Sequence, residues 1–74
     1  MSTERKRNRL RVLRAEQRMT QLTLARKVRI NQTRISFIEN GHVEPTPEER
    51  DRLARALKVA VTDAFPTEDA AVAS

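Results

Sequence analysis

At 74 residues the chain forms one domain at most, and a domain of that size buries only roughly 60% of its unfolded surface, leaving little apolar material for a substrate cavity. It has no Cys, Trp or Tyr and only two Phe, which excludes disulfides and thiolate metal sites. The formal charge of +5 is unevenly placed: residues 1–40 hold eleven Lys or Arg against three acids, a net of +8, and residues 41–74 hold four against seven, a net of −3. One end should therefore attract polyanions and the other should not. A solvated basic face is the competing explanation of such a charge run.

Ser2 and Thr3 are capping candidates for a first helix reaching about Gln17, in which Leu10 and Leu13 form a short apolar stripe among Arg5, Lys6, Arg7, Arg9, Arg11 and Arg14. Thr20 caps a second helix of two turns, with Leu24, Ala25 and Val28 on one face. Asn31 then interrupts the pattern and caps a third helix from Gln32, in which Ile35 and Ile38 share a face. Asn40-Gly41 ends it, because the chain's single Gly takes the left-handed conformation without steric cost.

Thr46-Pro47-Glu48-Glu49 has the order of a helix start, with a capping Thr, Pro at the first position and Glu at the third. The fourth helix carries Leu53, Ala56 and Leu57 at core spacing, Thr62 is a candidate cap for one further turn, and Pro66 stops it. The expected architecture is all-α: a compact five-helix domain over residues 8–65, a basic segment at residues 1–7 and a disordered acidic, Ala-rich tail at residues 66–74. No stretch approaches the roughly 20 apolar residues of a membrane span, and Met1 to Leu10 is too polar for a secretory signal, which places the protein in the cytoplasm.

The second and third helices, joined across Arg29-Ile30-Asn31, have the length and spacing of a helix-turn-helix. The string Thr20-Gln21, Leu24-Ala25, Ile35-Ser36, Ile38-Glu39-Asn40-Gly41, Pro45, Leu53-Ala54, Ala56-Leu57, Val59 and Phe65 resembles the phage repressor and Cro type of helix-turn-helix family over roughly residues 8–65. The resemblance implies a five-helix regulator of transcription that binds double-stranded DNA, usually as a homodimer on a palindromic operator, with the third helix in the major groove. It implies that Gln21 contacts a phosphate, that Gln32, Thr33 and Phe37 occupy base-facing positions, and that Arg14 and Glu39 form an ion pair tying the first helix to the third. Family members often carry Gly where Arg18, Arg29 and Lys58 stand here. A left-handed residue with a Cβ costs on the order of 1 kcal/mol, so looser turns are expected at these points.

Chemically, Gln32 offers a donor and an acceptor that match adenine N6 and N7, and Thr33 can hydrogen-bond a base or touch a thymine methyl. Phe37 lies off the face that buries Ile35 and Ile38, and three roles are open to it: packing on thymine methyls, folding back on the following loop, or joining a protein interface. Arg11, Gln21, Arg29 and Arg34 are the phosphate-side candidates, with guanine an alternative target for Arg29 and Arg34. No cofactor or metal is expected, because His42 is the only histidine and has no second ligand at helical spacing. Glu48 and Glu49 are accounted for by capping, which leaves no catalytic set. The alternative function is an antitoxin-like module that neutralises a partner protein, with Leu22 and Phe37 exposed toward it.

Overall fold

A computed structural model describes residues 8–66. It contains α1 (Leu10–Glu16), α2 (Gln21–Val28), α3 (Gln32–Glu39), α4 (Pro47–Leu57) and α5 (Val61–Ala64), with no strand among the described residues. The all-α, five-helix expectation therefore holds. The proposed Ser2 and Thr3 cap, the basic segment 1–7 and residues 67–74 of the proposed tail lie outside the described residues.

The apolar spacing builds one core. Leu10 and Leu13 of α1, Leu24, Ala25 and Val28 of α2, Ile35 and Ile38 of α3, Leu53, Ala54 and Leu57 of α4, and Ala64 of α5 are all buried, as is Ile30 in the turn. Six large ones, Leu10, Leu24, Ile35, Ile38, Leu53 and Leu57, are fully enclosed, and burying a Leu or Ile side chain contributes about 1.5–3 kcal/mol. Ala54 is buried where the spacing pointed to Ala56, which is half-buried at the edge of the core.

The helix starts follow the capping chemistry. Thr20 Oγ1 accepts from Thr23 N, Asn31 Oδ1 accepts from Thr33 N, and Thr46 forms a reciprocal capping box with Glu49 behind Pro47 at the first helical turn. Two starts differ from expectation. α1 does not run from near Thr3, because Asn8 and Arg9 are not helical. Asn8 Oδ1 instead accepts from Leu10 N, Asn8 Nδ2 donates to the Ile38 carbonyl, and Arg9 N donates to the Ala64 carbonyl. Leu10 N and Arg9 N, which a longer helix would pair within itself, are thus taken by the Asn8 side chain and the Ala64 carbonyl. α5 starts after Ala60 without a side-chain cap, and Thr62 lies inside the helix.

Four helix ends share one closure. Arg18, Arg29, Gly41 and Lys58 are left-handed, with φ of 54°, 59°, 76° and 57°. After each, the next backbone N–H reaches back five residues: Met19 to Arg14, Ile30 to Ala25, His42 to Phe37 and Val59 to Ala54, at 2.8–3.1 Å. This is the Schellman arrangement, which satisfies carbonyls left free at a helix end. The looser turns expected at the three positions without Gly are not observed. Ile30 is buried and Met19 and Val59 pack on the core, so apolar burial offsets the cost of the left-handed residue before each.

Candidate nucleic-acid interface

α3 buries only two apolar side chains, Ile35 and Ile38, a narrow apolar contact for an element whose orientation matters. Polar bonds at its two ends supply the rest. At the C-terminal end, the Glu39 side chain is fully enclosed, although the residue as a whole keeps some backbone exposure. Arg14 of α1 meets it with both arms of a fork, Nε to Oε2 at 2.7 Å and Nη2 to Oε1 at 3.0 Å. Gln21 Nε2, from the first turn of α2, donates to Oε1 at 3.1 Å. Arg14 Nη1 also donates to the Met19 carbonyl. One carboxylate thus joins α1, α2 and α3, and its hydrogen bond holds the Arg14 pKa above the ordinary value.

Arg11 stands at the rim of this cluster. Its Nη2 donates to Asn40 Oδ1 at 2.8 Å, while its Nε is 3.9 Å from Glu39 Oε1 and the side chain stays largely exposed. Arg11, Gln21 and the end of α3 are therefore brought together.

At the other end of α3, Arg34 forms a second fork, on Glu49 of α4, with Nε to Oε2 at 2.7 Å and Nη2 to Oε1 at 2.9 Å. Glu49 Oε1 also accepts from Thr46 N, and Glu49 N donates to Thr46 Oγ1. The Arg34 hydrogen bonds come first among the causes that hold the Glu49 carboxyl at about 2, with Thr46 adding to them against the opposing effect of burial. The same pair raises the Arg34 pKa. This bond escaped the sequence reading, in which capping accounted for Glu49 completely. The two residues are fifteen positions apart, and no local periodicity links them.

Gln32 and Thr33 are both exposed on the first turn of α3, beyond the Asn31 cap. Phe37, one turn later, is 47% exposed. Its ring meets His42 edge to face, with centroids 5.9 Å apart, so of the three roles open to it the contact with the following loop is made while half of the ring stays open. Arg29 is exposed in the turn before α3. It shares a recess with Lys27, Val28, Arg52, Arg55 and Ala56. Arg52 there donates to the Val28 carbonyl, and cations gathered at the C-terminal end of α2 complement its dipole.

Among the described residues, no group of three His, Cys, Asp or Glu is placed to hold a metal ion, and no helix is long and apolar enough to cross a membrane. No protein of curated function matches the sequence. A restriction-modification controller protein, C.AhdI from Aeromonas hydrophila, is similar in structure with a TM-score of 0.74 and 28% identity, over 77% of this chain and 86% of that one. A hypothetical transcription factor, NHTF from Neisseria, shares the fold with a TM-score of 0.73 and 22% identity, over 86% of this chain and 74% of that one. The family model described as helix-turn-helix matches residues 10–63, from the start of α1 into α5. With the α2-turn-α3 geometry in place, the chain belongs to the helix-turn-helix family of the phage repressor and Cro type, and is a DNA-binding regulator of transcription.

Proposed function

We propose that this chain is a sequence-specific repressor that binds a palindromic double-stranded operator as a homodimer, with α3 in the major groove. The observation that carries this reading is the exposure of Gln32 and Thr33 on the first turn of α3, while Ile35 and Ile38 are buried behind them. Gln32 reads adenine through N6 and N7, Thr33 reads the neighbouring step, and the open side of Phe37 packs on a thymine methyl. Arg11, Gln21 and Arg29 hold phosphates on either side. The likeness to a restriction-modification controller supports a regulatory role. Val61 is exposed and Phe65 partly so at the end of the fold, and the stretch from Val59 to Phe65 forms the dimer contact in this reading.

The experiment is a titration of wild type and Gln32→Ala on a selected duplex and on a random one. Gln32→Ala lowers affinity for the selected duplex by about 1–3 kcal/mol and leaves the random duplex unaffected. Equal affinities of the two proteins for the selected duplex would remove Gln32 from the reading set.

A further inference from the structure

α3 is held by two carboxylate-guanidinium forks of opposite polarity. Its last residue, Glu39, supplies the carboxylate for Arg14 of α1, and its first turn supplies the guanidinium, Arg34, for Glu49 of α4. The second fork is the less expected of the two, since Glu49 already closes the α4 capping box. From this geometry we infer that Arg34 is a positioning residue, which sets the angle of the reading helix against α4 through Glu49 rather than holding a DNA phosphate.

Three observations support the assignment. Both Glu49 oxygens are occupied by the Arg34 fork, so the planar guanidinium is oriented by two parallel bonds. Glu49 Oε1 is fixed in turn by Thr46 N at 2.8 Å, so the pair anchors on the backbone at the start of α4. Finally, the apolar burial of α3 is limited to Ile35 and Ile38 and the Glu39 fork holds its C-terminal end, so the Arg34 fork ties its N-terminal half to α4. A phosphate held by Arg34 would have to compete with a carboxylate that already has both bonds in place. With Arg34 and Glu49 paired, Gln32 and Thr33 present their donors and acceptors at one fixed angle. The inference rests on the proposed DNA reading for its consequence, and on the fork alone for its geometry.

The test compares wild type, Arg34→Met, Glu49→Gln and the exchanged pair Arg34→Glu with Glu49→Arg. Residual dipolar couplings of residues 31–39, measured without DNA, report the angle of α3. Salt-dependent titrations on a selected and a random duplex report function. Positioning predicts that both single variants change the couplings and lose at least about fivefold of their preference for the selected duplex, the smallest effect of one misread base pair. The exchanged pair re-forms the fork without an acceptor for Thr46 N, so it regains part of both, and the slope of log affinity against log salt on the selected duplex stays the same in all four proteins.

A phosphate ligand behaves differently: Arg34→Met flattens that slope by about 0.9 per subunit, and Glu49→Gln steepens it by freeing the guanidinium. That pattern overturns the inference, as do couplings unchanged in Glu49→Gln. If wild type selects no duplex while the couplings still move, the DNA reading fails and the positioning geometry stands. Should Arg34→Met fail to fold, the near-isosteric Glu49→Gln carries the comparison, because Thr46 N retains an amide oxygen as its acceptor.

Discussion

Arg18, Arg29 and Lys58 each close a helix in the left-handed region, at φ near 57°. A Cβ there costs roughly 1–2 kcal/mol against Gly, partly returned because Gly gains freedom in the unfolded chain. Lys58 is exposed, and no side-chain bond of it is seen among the described residues, so Lys58→Gly isolates the backbone effect. We expect it to stabilise the fold by about 0.5–1 kcal/mol in urea unfolding. A loss of stability would mean that Val59, packed behind it, does not hold the turn as described. Gly41, at φ 76°, gives the converse case: Gly41→Ala destabilises by about 1 kcal/mol.

The helices themselves were legible because capping residues and apolar spacing act locally. Thr20, Asn31 and Thr46 each sit one residue before a helix and bond to its first turn. The Arg14-Glu39 pair was legible through the family resemblance and because Glu39 is the only acid in the helix-turn-helix segment, and the Arg34-Glu49 pair was not legible at all. Both join residues on different helices, and their meeting depends on how the helices pack. The start of α1 was missed for the same reason, since the bonds of Asn8 and Arg9 go to Ile38 and Ala64.

Each pair has a measurable consequence at this scale. Arg14→Met leaves the enclosed Glu39 carboxylate without its guanidinium and lowers stability by about 3–5 kcal/mol, the cost of breaking a buried pair from one side. A change below about 1 kcal/mol would place Glu39 in water. The Glu49 carboxyl is depressed from 4.5 to about 2. Its contribution to stability is complete above pH 4.5 and is lost as pH falls toward 2, because the unfolded chain takes up the proton first. Melting curves between those limits should fall less steeply for Glu49→Gln than for wild type, and parallel curves would deny the pair any such contribution.

At the scale of the molecule, the charge asymmetry bears directly on DNA binding. Residues 1–40, which contain α1 to α3, carry +8, and residues 41–74 carry −3, so polyanions approach the helix-turn-helix side. If Arg11 and Arg29 hold phosphates in both subunits of a dimer, log affinity falls with log salt at a slope of about −3.6 or steeper. A slope near zero would remove the electrostatic basis of the account and put binding of a partner protein first. The central claim, that α3 reads DNA sequence, is tested most directly by selecting bound duplexes from a random pool with wild type and with Gln32→Ala. The account predicts a two-fold symmetric motif with half-sites roughly 10–10.5 base pairs apart for wild type, and the same motif with one base step relaxed in each half-site for Gln32→Ala. A pool without enrichment, or an identical motif from both proteins, would contradict it.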